Sequence, residues 1–142
     1  MLRITIKIIG SMINGGIKDN NSEHPYFQSI ISINGENKIF SLFQRKDIDS
    51  YIRNIAAISI GRLFKFQILP ETMKQLIIDH LKSITSDHDE WTRSASIYAI
   101  DYLAQNKDNY TEIMKGFDPL AVIQDLALPI IRNEEERKQI QH

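Results

Sequence analysis

The sequence predicts an all-α chain built as a solenoid of stacked antiparallel helix pairs, and three observations carry that expectation. The first is an internal repeat: the segment Asp47 to Leu63 aligns with Asp87 to Leu103, placing Arg53 and Arg93 forty positions apart. In both copies an Asp stands six residues before the Arg, and small residues follow at Arg+3 (Ala56, Ser96) and Arg+6 (Ser59, Ala99). Ile then stands at Arg+7 (Ile60, Ile100) and Leu at Arg+10 (Leu63, Leu103). A period of this size marks one supersecondary unit that buries its apolar face only by stacking on copies of itself. The second observation is helical rather than alternating spacing of apolar residues along most of the chain. The third is punctuation: Gly15-Gly16, Pro25, Gly35, Pro70, Gly116 and Pro119 fall at the ends of the periodic stretches.

Taken in order, Met1 to Asn14 carries Ile6, Ile9, Met12 and Ile13 at helical spacing, although Ile4, Ile6 and Ile8 also alternate as in a strand. Ile9-Gly10 and Met12 match Ile60-Gly61 and Leu63, so this stretch reads as a first, shorter copy of the repeat helix. Gly15-Gly16 ends it, a polar loop runs to His24, and Pro25 opens a helix to about Ile33, closed near Gly35. A short helix from Glu36 to Gln44 precedes a longer one from Ser50 to about Phe66, with Ser50 as the expected N-cap. Pro70 starts the next helix, Glu71 to about Ile84, with Leu76, Ile77, Leu81 and Ile84 expected on one side. Asp87 to Asp89 supplies turn and cap for a helix from Glu90 to Gln105. Asp108-Asn109 is expected to cap a further helix to Lys115, broken at Gly116. Pro119 restarts it to about Ile131, and Asn133 with Glu136 has capping-box spacing for a last short helix.

Composition narrows the function classes. The chain has 142 residues, 42% hydrophobic and 25% charged, which suits one soluble globular domain with a real core. A net charge of −1 supplies no global field for nucleic acid or acidic membrane, so such binding needs a local patch. The absence of cysteine excludes disulfides, thiolate metal sites and cysteine nucleophiles, and fits an intracellular, cytoplasmic protein, with the nucleus left open. No apolar run approaches the roughly 18–20 residues of a membrane helix. Leu2 to Ile17 is apolar enough to resemble a signal peptide, but Lys7 interrupts it and no small-residue cleavage site follows. Valine occurs only at Val122 against abundant isoleucine, a bias that speaks of genome composition rather than function.

The repeat resembles the HEAT repeat, an antiparallel helix pair that stacks into a superhelix, with the related armadillo repeat close behind. The likeness rests on Asp47, Ile52, Arg53, Ala56, Ser59, Ile60, Gly61 and Leu63, and again on Asp87, Arg93, Ser96, Ala99, Ile100 and Leu103. It covers roughly residues 36 to 105; Thr92 stands where an aliphatic residue is usual, and Asp101 replaces the glycine. The resemblance implies a right-handed α-α superhelix in a single domain, 1–142. Its parts would be a partial unit (1–35), two repeats (36–66 and 70–105), and a C-terminal partial unit and cap (108–142). It also implies that Asp47 or Asp87 bonds Arg53 or Arg93, and that the second helix of each pair lines a concave binding face.

On those second helices, positions not needed for the core are Asn54, Ile55, Ile58, Arg62 and Lys65 in one copy, and Ser94, Ala95, Tyr98, Tyr102 and Gln105 in the other. Tyr98 and Tyr102 lie one turn apart and, with Arg62, have the composition of binding hot spots. Arg62, Tyr98, Tyr102, Ile58 and Lys65 are therefore the expected partner-binding residues, and a protein or peptide is the expected partner. The competing expectation is that both tyrosines pack against the next helix pair. Trp91, at a helix start, is expected in the core.

The rival class is nucleic-acid binding by a ridge of Arg62, Lys65, Lys74, Lys82 and Lys107, diluted by Asp79, Asp101 and Asp108. Enzyme chemistry finds little support. Asp87-His88-Asp89-Glu90 and Asp79-His80 have metal-ligating chemistry, but consecutive side chains on one turn diverge, and capping explains them. Metal-binding helical-repeat hydroxylases carry His-Glu pairs, and no His-Glu dipeptide occurs here. Gly15-Gly16 lacks the Lys-Ser/Thr of a phosphate loop. No catalytic residue, cofactor or metal is expected. The first helix is apolar around much of its circumference, which leads to the expectation that another chain covers it, a second copy or a larger array.

Overall fold

The structure is a computed structural model and describes residues 1–17 and 22–116. The described residues form seven α-helices and a 3-10 turn, with no strand among them. The helices are α1 (Leu2–Gly16), α2 (Phe27–Ser32), α3 (Gly35–Gln44), α4 (Ser50–Leu63), α5 (Glu71–Ser83), α6 (Glu90–Ala104) and α7 (Lys107–Met114); the 3-10 turn is Ile84–Ser86. The helix expected after Pro119 and the capping tail to His142 lie outside the described residues.

In α1 the helical period prevails over the alternating one. Ile6, Gly10 and Ile13 are buried along one stripe, while Ile4 and Ile8 stand exposed beside Ile6. Met12, matched by the repeat to the fully buried Leu63, is exposed, and Ile13 takes the inward place. In α5 the buried stripe is Met73, Ile77, Ile78 and Leu81, and Leu76, expected inward, faces solvent. Caps also shift by a residue or more from the expected positions. Asp49 rather than Ser50 caps α4, accepting from the Ile52 N–H, and Asn106 rather than Asp108-Asn109 caps α7. Asn109 is instead fully buried, where its Oδ1 accepts from the Leu69 N–H at 3.0 Å and its Nδ2 donates to the Gln67 carbonyl at 2.7 Å. It ties α7 to the loop that leads into α5.

α4 sits centrally, packed on α1, α3, α5 and α6, while α6 also packs on α5 and α7. Small residues allow these approaches. A Cβ on Gly61 would lie 2.8 Å from the Ala99 Cβ of α6, and one on Gly10 would lie 3.2 Å from Ile55 and 3.4 Å from Ser59 of α4. Ser59 and Ala99 hold the same repeat position, so each glycine admits the Arg+6 residue of the next repeat helix. Ile60, Leu63 and Leu103 are fully buried at the seam; Ile100, expected there too, is only partly buried.

Among the described residues, neither the Asp47 nor the Asp87 carboxylate pairs with Arg53 or Arg93 as the resemblance implies, and Asp87 reaches Arg93 only through its backbone carbonyl. Asp47 instead pairs with Arg45 at 2.5 Å on the surface. Arg53 donates from Nε to the Phe43 carbonyl at 3.1 Å and lies over the Phe43 ring. Arg93 donates from Nη1 to the carbonyls of Asp87 and His88 at 2.8 and 3.0 Å. Arg53 thus satisfies a carbonyl in the last turn of α3, and Arg93 satisfies two carbonyls of the connection before α6, leaving the aspartate side chains to turns and caps.

Candidate functional site

The side-by-side helices α1, α4 and α6 leave two adjoining clefts, joined through Asn14, Arg62 and Trp91, which line both. One, of about 140 Å³, is walled by Lys7 and Ser11 of α1 and by Tyr51, Ile58 and Ser59 of α4. The other, of about 320 Å³, is walled by Ser94, Ala95, Tyr98 and Tyr102 of α6. The first volume suits a side chain rather than a drug-sized ligand or cofactor, for which about 300–1,000 Å³ is usual. Every lining residue lies on a helix, so the helix ladders occupy most of the local backbone donors and the side chains define the chemistry.

The structure brings together Arg62, Tyr98, Tyr102 and Ile58 at these clefts and separates Lys65 from them. Tyr98 is 58% exposed and Tyr102 half-buried, both open to the second cleft. Ile58, placed by the repeat on an outer stripe, is only 1% exposed and forms cleft floor. Asn54 and Ile55 of that stripe are buried as well. For Ile55 and Ile58 the reason is α1, which packs on the flank of α4 they occupy, whereas Asn54 turns toward His80 of α5. Lys65, 2% exposed, lines a different recess with Gly16, His24 and Pro25, its ammonium 5.7 Å from the centre of the Tyr102 ring.

Trp91 departs from expectation in the opposite direction. It is 48% exposed and stands at the junction of the two clefts instead of in the core. Its spacing carried the signal: Trp91, Ala95, Tyr98 and Tyr102 fall on one helical stripe. Lys7, Ser11 and Asn14 had no such signal, because only the packing of α1 on α4 brings them to the site.

Polarity in the clefts is one-sided. Neither lining contains Asp or Glu. Arg62 is 8% exposed, its Nε has no hydrogen-bond partner, and burial pushes its pKa below the ordinary arginine value. Ser59, one turn earlier and 1% exposed, has an equally unpartnered Oγ. Toward the α1 side, the Arg3 guanidinium lies 4.5 Å and the Lys7 ammonium 5.8 Å from the Tyr51 ring centre.

The other candidate chemistry is absorbed by the fold. Asp89 caps α6, accepting from the Thr92 N–H and hydroxyl at 2.9 and 2.7 Å, and Asp87 accepts from the Asp89 N–H. His80 is hydrogen-bonded through Nε2 to Asn54 Oδ1 at 2.8 Å and packs edge-on to Phe43. His24 donates from Nε2 to the Ile13 carbonyl at 2.7 Å while its Nδ1 accepts from the Tyr26 N–H, an arrangement that requires the neutral ring. Among the described residues, no three His, Asp or Glu side chains converge as a metal site. The cationic ridge is not assembled either: Arg62, Lys65 and Lys74 are buried, with Lys74 paired to Glu71, Lys82 donates to the Lys115 carbonyl, and Lys107 alone of the five is exposed. No helix of the described residues is long and apolar enough to cross a membrane. Comparison of the chain with protein-family models, curated proteins and solved structures gave no match.

Proposed function

We propose that this chain is a non-catalytic helical-repeat module, of HEAT or armadillo type, that binds a protein or peptide segment on the face shared by α1, α4 and α6. One observation carries the proposal: large aromatics, Trp91 and Tyr98, stand exposed beside Tyr102 and the buried Arg62 around an open cleft. Tyr, Trp and Arg are the residues that dominate binding energy at protein interfaces, and rigid aromatic rings lose little entropy on contact. Helical-repeat stacking supports the reading through the equivalent glycine approaches of α1 to α4 and α4 to α6. The rival nucleic-acid reading loses support because three of its five cations are buried.

The test is capture of partners from the source lysate by the wild-type chain and by Tyr98→Ala/Tyr102→Ala, each with and without nuclease. A nuclease-resistant partner, recovered with the wild type and weakened about tenfold or more in direct titration against the variant, supports the reading. Recovery that collapses with nuclease, or titrations identical for the two chains, removes it.

A further inference from the structure

We propose that the α1–α4–α6 cleft receives an acidic side chain of a bound peptide, with Arg62 as the group that takes its carboxylate; this rests on the peptide-binding reading above. Two buried donors on one face of α4, Arg62 Nε and Ser59 Oγ, have no hydrogen-bond partner among the described residues, and both residues line the same cleft. A buried guanidinium with no carboxylate paired to it among the described residues is costly in the free protein, and so are orphaned donors. A carboxylate entering from outside satisfies both, since guanidinium and carboxylate match in bidentate geometry.

Charge complementarity selects the occupant. The lining offers Arg62 and Lys7 and no acid. A nucleic-acid strand needs a row of cations along its phosphates, and of the row Arg62, Lys65, Lys74, Lys82 and Lys107 the first three are buried, leaving Lys107 exposed apart from them. A peptide C-terminus is held by clustered free backbone N–H groups, whereas these walls are helices whose side chains face the cleft. One acidic side chain flanked by apolar residues fits a single guanidinium beside Trp91, Tyr98 and Tyr102.

The experiment is selection of a random 12-residue phage-displayed peptide library on the full chain, followed by titration of the enriched peptide. The titration is read by the fluorescence of Trp91, the single tryptophan of the chain, which lines the site. The expected result is enrichment of Glu or Asp next to an apolar residue, and a loss of about 10–100-fold in affinity when that acid becomes Gln or Asn in the synthetic peptide. Arg62→Met is expected to abolish the difference between the two peptides while leaving the melting temperature unchanged or higher. A merely structural Arg62 would instead lower the melting temperature. If Arg62→Met does not fold, the acid-to-amide pair on the wild-type chain still decides.

Enriched peptides without acids, or equal affinity for the acid and amide forms, overturn the carboxylate assignment and leave the peptide-binding reading standing. A chain that enriches no peptide overturns both. Binding of a 20-nucleotide oligo-dT that is lost in Arg62→Met assigns the cleft to phosphate and overturns the proposal.

Discussion

α4 and α6 are two copies of one local pattern, yet they end in opposite situations. Each begins with a capping aspartate, Asp49 or Asp89, and each uses its arginine to hold a backbone carbonyl N-terminal to it, at the end of α3 for Arg53 and in the preceding connection for Arg93. Position for position, however, Ile58 is 1% exposed and Tyr98 58%, while Gly61 is buried and Asp101 exposed. The pattern sets how each helix starts and which edge carries small residues. Neighbours set what is covered: α4 lies between α1 and α6, whereas the face of α6 bearing Tyr98 borders the open cleft. An open face on a repeat helix is where a site can form, and a covered one is core.

Exchanging equivalent residues should expose that difference. The largest effect is expected for Gly61→Asp, which imports the residue that the second copy carries at Asp101. Its Cβ would meet Ala99 at 2.8 Å, and an unpaired charge would be buried at the α4–α6 seam. A loss of about 3–5 kcal/mol is expected in urea unfolding, and a loss under 1 kcal/mol would mean that the seam yields readily. Ile58→Ala comes next, at about 2–3 kcal/mol, toward the lower part of the range for such truncations because the cleft lets the site relax.

A smaller effect is expected from pH, since only two imidazoles are involved. Burial lowers the pKa of His24, aided by the nearby Lys65 charge, and of His80, aided by Arg53, from an ordinary value of 6.5. Just below pH 6.5 the unfolded chain therefore binds more protons than the folded one. Stability is present in full above that pH and is lost as pH falls through the lowered folded values. The urea midpoint should drop between pH 7.5 and 5.5, and His24→Gln/His80→Gln should flatten that dependence. A flat wild-type profile would show that neither ring is held neutral.

The smallest effects belong to the open face. Tyr98→Ala and Asp101→Ala should each change stability by no more than about 0.5 kcal/mol, in contrast to Ile58 and Gly61 at the same repeat positions. A large loss from Tyr98→Ala would mean that α6 is as covered as α4, and the comparison would collapse.

Much of the helix order was legible because caps, glycines, prolines and apolar periods are local signals. Gly35–Gln44, Ser50–Leu63, Glu71–Ser83 and Glu90–Ala104 lie close to their expected bounds. The site was only half legible. Tyr98, Tyr102 and Arg62 carry a compositional signal, whereas a place at the helix start points Trp91 inward and the repeat points Arg62, Ile58 and Lys65 outward, against where they lie. Helical phase defines faces but not which neighbour covers each of them.

The sequence by itself determined the helices of the described residues, two of them repeating at forty residues, and the small residues that let them meet. Those follow from backbone hydrogen bonding and steric size, which act over a few residues. Only the tertiary structure decided that α1 covers Ile58, that Arg62 Nε and Ser59 Oγ are buried without hydrogen-bond partners among the described residues, and that Trp91 opens onto their cleft. Burial is a property of what lies opposite a side chain, and here the opposite wall comes from a helix some fifty residues away in the chain.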